Sequence, residues 1–323
     1  MAIDILNLVP TSISRDLKSK YILIYSLPKV GKTTFASQFD NNLMLAFEKG
    51  YNAISGIYVV DIPDWKTFKL ILRQLKSPEA QKRYDSITFD TIGIAWSLCE
   101  RYICGREGVD DLSEIAWGRG YAMCTKEFED SIREITLLGY GIVFISHSEE
   151  KPIKVGSDET EIRPAIPKRA YEIVNRVVDI IAYIDVDFEK ETGISTRTLY
   201  TRRTKDIVAG SRFRYLPTRI PFGYTELVDA LVTAIEEEGK QGGNITNEAK
   251  SHYIEQLEED ISFTQLMETA RALWFKARDK MLTTEVETII EKHFHKKMKL
   301  SEAVENQKEI LSEVVTDMED LLK

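Results

Sequence analysis

Cysteine is scarce: Cys99, Cys104 and Cys124 are the only three among 323 residues. An odd number without a CxxC pair excludes a disulfide framework and offers no zinc knuckle. Long apolar runs are missing too. No stretch reaches the roughly 18 uninterrupted apolar residues that a membrane span needs. The opening MAIDILNLVPTSISRDLKSK lacks the basic flank and apolar block of a secretory signal. The chain is therefore expected in a reduced cytoplasm, with no membrane partner. Positive charge is short overall, 43 Lys and Arg against 52 Asp and Glu, which excludes a uniformly basic nucleic-acid binder. Hydrophobic residues at 43% and charged residues at 29% exclude a long disordered protein.

The charge that is present is unevenly placed. Between Arg197 and Arg219, seven basic residues (Arg197, Arg202, Arg203, Lys205, Arg212, Arg214, Arg219) meet one acid, Asp206. From Gln241 to Lys323, 17 acids outnumber 11 basic residues. An anionic ligand thus has a basic surface to find despite the negative total.

Short apolar runs at Tyr21–Tyr25, Leu43–Phe47, Ile57–Val60, Ile87–Phe89 and Ile142–Ile145 predict buried strands. Helical patterns at Lys32–Phe39, Asp64–Leu75, Ile92–Tyr102 and about Glu114–Leu138 separate them. Alternation of this kind predicts an α/β fold with a mostly parallel sheet covered on both faces. Strands at Val177–Ile184 and Thr196–Thr201 and a helix from about Tyr224 to Glu237 follow. Glu236–Asn244 (EEEGKQGGN) has linker composition. The expected division is a core over 1–238, a linker over 239–245 and a small all-helical domain over 246–323. In that tail, helical spacing covers about 246–257, 262–280, 284–295 and 301–322, with Ser262 and Ser301 as helix starts. Phe263, Leu266, Met267, Ala270, Leu273 and Trp274 fall on one face, a core or partner-binding stripe. His293 and His295 stand two apart, which does not place them on one helical face as a ligand pair.

The strongest signal is Ser26-Leu-Pro28-Lys29-Val30-Gly31-Lys32-Thr33-Thr34, directly after the first strand and opening a helix. It matches GxxxxGK[ST] except that serine replaces the first glycine. A tight loop here turns backbone N–H groups toward phosphate oxygens beside the positive end of the helix. Lys32 is expected on the β- and γ-phosphates of ATP and the Thr33 hydroxyl in the Mg²⁺ shell. Ser26 is expected to be less comfortable than glycine if its position needs φ > 0. A second magnesium ligand should end a neighbouring buried strand, and Asp90 does so in YDSITFDT.

Thr91 follows Asp90, where many ATPases carry a catalytic glutamate, so the base must lie elsewhere. Glu48, directly after the apolar run 43–47 in LMLAFEKG, orients the attacking water if its strand adjoins the phosphate-loop strand; otherwise it is a solvated loop carboxylate. Ser146 and His147, in FISHS, stand at another strand's carboxyl end, where ligands bind in open α/β sheets. Either can sense the γ-phosphate, or His147 is structural. The sequence has no NKxD guanine motif and no LSGGQ-like segment, so ATP is the expected nucleotide.

The succession SLPKVGKTT, LMLAFEKG, YDSITFDTI, GIVFISHS and TRRTKDIVAGSRF resembles the phage-encoded RecA-like P-loop ATPases of the Sak type over roughly 20–235. Ser26 and Lys29 stand where that family usually has glycine. The resemblance implies a RecA-like core with Glu48 as catalytic base. It also implies action on single-stranded DNA, as annealing or strand exchange, with a single-strand-binding protein as partner. RecA-like cores work between subunits, which implies a homo-oligomeric ring or filament and a basic residue supplied across the interface. Arg202, Arg203, Lys205 and Arg212 are the candidates; alternatively they form a DNA-backbone surface or an exposed basic turn. Glu149–Arg169 occupies the place of a DNA-binding loop, yet it balances five basic residues with five acids and holds no aromatic. A surface hairpin around Gly156-Ser157-Asp158 is its other reading. Two further functions stay open: a nucleotide-gated assembly switch resembling a helicase loader, and a P-loop kinase with the 197–219 cluster as its lid.

Overall fold

Residues with apolar side chains on both faces of a strand can only be satisfied between two covering layers, and this requirement organises the protein. The computed structural model describes residues 10–154, 158–188, 195–247 and 262–322. The described residues fall into two units, divided beyond residue 247.

The first unit runs β1 (Ile13–Ser14), β2 (Tyr21–Ser26), α1 (Lys32–Ala36), β3 (Asn42–Ala46), β4 (Tyr58–Asp61), α2 (Trp65–Leu75), α3 (Pro78–Arg83) and β5 (Ser86–Asp90). It continues through α4 (Ile92–Glu107), α5 (Arg119–Thr136), β6 (Gly141–Pro152), β7 (Thr160–Pro164), α6 (Lys168–Val177) and β8 (Ile180–Phe188). It closes with β9 (Ser195–Tyr200), β10 (Gly210–Ser211), β11 (Arg219–Pro221), α7 (Tyr224–Lys240) and β12 (Ile245–Thr246). The main sheet has the order β11-β9-β8-β2-β6-β5-β3-β4. From β8 to β4 every pairing is parallel, while β9 and β11 extend one side antiparallel.

Alternation along β2 shows how the layers form. Leu23 and Tyr25 enter the core beneath α2, α4, α5 and α6, and Ile22 and Ile24 enter the core beneath α1 and α7. The first layer is aromatic: Trp65, Phe68, Phe89, Trp96, Phe128 and Phe144 are fully buried and touch in tilted, stacked or edge-on pairs. Burying each such side chain contributes roughly 1.5–3 kcal/mol. The core therefore fixes the strand ends, and the strand ends carry the chemistry.

Several elements differ from expectation for local reasons. The helix expected from Glu114 is interrupted at Trp117 (φ 62°) and Gly118 (φ 66°), so α5 starts only at Arg119. α3 is short and buries no residue, so it shows no apolar period; it starts at Pro78 after the Ser77 cap, whose hydroxyl accepts from Ala80 N. Glu149–Arg169 is not a long loop. β6 runs on to Pro152 and pairs antiparallel with β7, Ser148 opposite Pro164, and α6 begins right after Pro167. This favours the hairpin reading, although residues 155–157 of its expected tip lie outside the described residues.

The linker expected over 239–245 is also displaced. α7 continues to Lys240 and β12 pairs with β1, so these residues fold with the first unit. Glycines 239, 242 and 243 serve a helix end and a close turn rather than a tether.

In the second unit, α8 (Phe263–Asp279), α9 (Thr283–Phe294) and α10 (Lys308–Leu322) enclose a core that includes Leu266, Met267, Ala270, Leu273, Val286, Ile290, Val314 and Met318. The expected apolar stripe is core, with Phe263 and Trp274 half-buried at its margin. Ser262 starts α8 as expected, forming a capping box with Gln265. Ser301 does not start a helix. It sits in a short turn, Leu300–Glu302, and extended backbone at Ala303 and Val304 postpones α10 to Lys308. His293 lies between two acids of α10, 3.1 Å from Glu313 and 2.8 Å from Asp317, while His295 ends α9 in a left-handed conformation. The helical pattern expected over 246–257 lies outside the described residues except at 246–247, where Thr246 belongs to β12.

Candidate functional site

β2 delivers the chain to its carboxyl edge at Ser26, and α1 begins six residues later at Lys32. Ser26 ends the strand in strand conformation, so the strain expected there is absent. The left-handed positions are Lys29 (φ 64°) and Gly31 (φ 112°). Only Lys29 bears the roughly 1–2 kcal/mol that such a conformation costs a residue with a Cβ. Leu27, Pro28 and Lys29 are exposed and Val30 half-buried. The Lys32 ammonium folds back over the loop, 3.1 Å from Ser26 O, 3.1 Å from Ser26 Oγ and 2.8 Å from Leu27 O. Burial pulls its pKa down to about 8, against the opposing pull of Asp90 and Glu48. A cation with only dipoles for partners is poised to exchange them for phosphate oxygens.

Asp90 ends β5 almost fully buried, and its Oδ2 accepts from Thr33 Oγ1 at 2.8 Å. Burial raises the Asp90 pKa, while the Thr33 hydrogen bond and Lys32 oppose the rise. The Asp90–Thr91 peptide is cis. A hydroxyl and a carboxylate oxygen in contact form a hard-oxygen donor pair that fits Mg²⁺, an ion usually held by one or two protein oxygens plus phosphates and water. Among the described residues no cluster of three acids, histidines or cysteines offers another metal site. Gly50, which sequence reasoning passed over, lies against this pair. A Cβ there would meet Thr33 Oγ1 at 3.6 Å and Asp90 Oδ2 at 3.7 Å.

Glu48 reaches the site by a different route from the one expected. Its strand, β3, does not adjoin β2; β6 and β5 stand between them. Beyond β3 the chain turns over the end of β5, and Phe47 N and Glu48 N both donate to Asp90 O, at 2.7 and 3.0 Å. The catalytic candidate is thus tied to the strand end that carries the metal candidate. Its Oε2 lies 3.4 Å from His147 Nε2 at the end of the β6 segment paired with β2. His147 Nδ1 is buried without a hydrogen-bond partner. Ser146, the other sensor candidate, turns its hydroxyl to His147 O at 2.9 Å.

The four candidate fingers are engaged elsewhere within the chain. Arg202 binds the carbonyls of Phe213, Arg214 and Leu216. Arg203 pairs with Glu161 and Lys205 with Glu159. Arg212 binds Asp179 and Arg176 O at the amino edge of the sheet, opposite the phosphate loop. None of the four enters this chain's own site. Arg197, the first cation of the basic segment, does reach the phosphate loop: Nη1 donates to Val30 O at 3.0 Å.

Sheet order and site together define a P-loop ATPase with a RecA-like core, followed by a helical C-terminal unit. Residues 18–213 match the AAA domain model, and the chain belongs to that family. It is similar to the SPbeta prophage-derived uncharacterized protein YorG of Bacillus subtilis (strain 168), with 27% identity over 330 residues, covering 100% of this chain and 99% of that protein. Among solved structures it matches a KaiC-like protein, PH0186 of Pyrococcus horikoshii OT3, with 15% identity and a TM-score of 0.35, over 63% of this chain and 85% of that one. No helix among the described residues is long and apolar enough to cross a membrane.

Proposed function

We propose that this protein hydrolyses ATP and uses the cycle to act on single-stranded DNA. One observation carries the hydrolysis: the Glu48 backbone is hydrogen-bonded to the carbonyl of Asp90, whose carboxylate holds Thr33. In this reading the loop Ser26–Thr34 cradles the phosphates and Lys32 moves from its carbonyl partners to the β- and γ-phosphate oxygens. Thr33 and Asp90 would hold Mg²⁺, which would supply positive charge against the phosphates. Glu48 orients and deprotonates the attacking water. His147, in contact with Glu48, relays the state of the γ-phosphate into the β6–β7 hairpin that continues its own strand.

Three features support a DNA output of the Sak type, in phage recombination or replication. They are the motif succession, the full-length similarity to a prophage-derived protein, and a hairpin carrying Lys151, Lys154 and Arg163 directly beyond His147. Annealing or strand exchange by a homo-oligomer, with a single-strand-binding protein as partner, completes the proposal. The test is ATP turnover with and without oligo-dT. Stimulation is the expected result; turnover indifferent to DNA, together with no oligo-dT binding, removes the DNA output and leaves the ATPase.

A second reading, the nucleotide-gated assembly switch, is favoured by how the cations are spent. Glu149 takes both Lys151 and Arg163, and Glu161 and Glu159 take Arg203 and Lys205. Paired cations neutralise few phosphates. For single strands log K falls with log salt by about 0.7 per phosphate contacted; affinity that is weak and flat with salt favours the switch.

A further inference from the structure

Arg197 is joined to the phosphate loop by more than one contact. It lies on β9, opposite Val186 of β8, and its guanidinium stacks over Phe222, 4.9 Å from the ring centroid. Phe222 in turn stacks on Phe35 of α1 at 5.4 Å, and its backbone N–H donates to Arg197 O at 3.0 Å. The Val30 carbonyl is the acceptor at the end of this chain of contacts.

The trans peptide plane gives that hydrogen bond its consequence. C=O of Val30 and N–H of Gly31 belong to one rigid plane and point in opposite directions. Anchoring Val30 O on Arg197 therefore fixes the opposite direction for Gly31 N–H, one of the loop donors expected to meet phosphate. Gly31 O on the other side is already fixed, accepting from Phe35 N at 2.9 Å. Both peptide planes flanking Gly31 are held. The φ of 112° at Gly31 calls for glycine by itself, and a Cβ there would also lie 3.0 Å from Arg197 Nη1.

We infer that Arg197 is a positioning residue of the nucleotide site, acting within its own chain to preorganise the phosphate loop. This differs from the basic residue expected across a subunit interface, and it rests on the ATP-binding reading above. Because preorganisation lowers the ordering cost of binding, its loss weakens nucleotide affinity more than it slows the bound complex.

The experiment is titration of the full chain with a fluorescent methylanthraniloyl-ATP and Mg²⁺, paired with steady-state turnover. Arg197→Ala is expected to weaken binding about tenfold, the order of a lost hydrogen bond from a charged donor. KM should rise more than kcat falls. Arg197→Lys, which keeps a charged donor, should recover part of the affinity, and Arg197→Gln serves if the alanine variant melts early without nucleotide. Wild-type binding with unaltered Arg197→Ala affinity overturns this inference alone, whereas a wild type that binds no nucleotide overturns the ATPase reading as well. Mixing Arg197→Ala with Lys32→Ala protein distinguishes the alternative. Recovered turnover would mean that Arg197 serves a neighbour's site and would overturn the assignment; no recovery is expected.

Discussion

His147 Nε2 lies 3.4 Å from Glu48 Oε2, although 99 residues separate them. His147 ends the segment of β6 paired with β2 and Glu48 follows β3, with β5 and its Asp90 between. A carboxylate facing an imidazole above the metal candidate is an arrangement in which loss of the γ-phosphate can be felt by the strand that leads into the hairpin.

Glu48→Gln keeps the side chain's shape and removes its basicity. ATP binding is expected to stay near wild type while turnover falls by about 10²–10⁴, the usual range for a positioned general base. Single-turnover measurement with bound ATP checks this, and normal turnover would remove Glu48 from the mechanism. His147→Ala should spare binding but uncouple any DNA stimulation from hydrolysis.

Lys32→Ala is expected to abolish turnover, and Asp90→Asn to raise the Mg²⁺ concentration needed for half-maximal rate by tenfold or more, as loss of one of few protein oxygens implies. A magnesium titration at saturating ATP measures it. An unchanged Mg²⁺ requirement would take Asp90 out of the metal shell.

Lys32 should make nucleotide binding proton-linked. Its pKa in the empty site is about 8, so at pH 8 about half the ammonium population is deprotonated. Phosphate oxygens favour the charged form, so binding takes up about half a proton there and very little at pH 6.5. Calorimetry in buffers of different ionisation heat reads this directly. For the empty protein the sign runs the other way from a salt bridge. Between about 8 and the ordinary 10.5 the unfolded chain holds the extra proton, so Lys32 makes stability rise with pH across that window. Lys32→Met should remove that contribution to the slope.

Gly120→Ala tests the break before α5. A Cβ at 120 would fall 2.4 Å from Leu112 O and 2.9 Å from Ile115 Cδ1, so the Leu112–Ile115 segment ahead of that break must move. A loss of about 1–3 kcal/mol is expected, the usual cost of overpacking, measured as a lower urea midpoint at constant slope.

Much of this site was legible along the chain because strand periodicity and the phosphate-loop spacing are local. Lys32, Thr33 and Asp90 could be assigned from neighbours a few residues away. Gly50 and Arg197 could not. Gly50 matters only because the chain after β3 folds over Asp90, and Arg197 only because β9 lies beside β8, which lies beside β2. The basic segment 197–219 offered a genuine signal, seven cations against one acid, but nothing in it separated the residue at the loop from those held by Glu159, Glu161 and Asp179.

The amino-acid sequence by itself determined the alternation of strand and helix, the phosphate loop and the strand-end carboxylates, since each follows from hydrophobic period or motif spacing within about ten residues. Tertiary structure decided the strand order, and with it that Glu48 arrives through Asp90 rather than beside the loop. It also decided which cations remain available, because pairing partners as far as 167 residues away are chosen by packing. Distance in sequence carries no record of that choice.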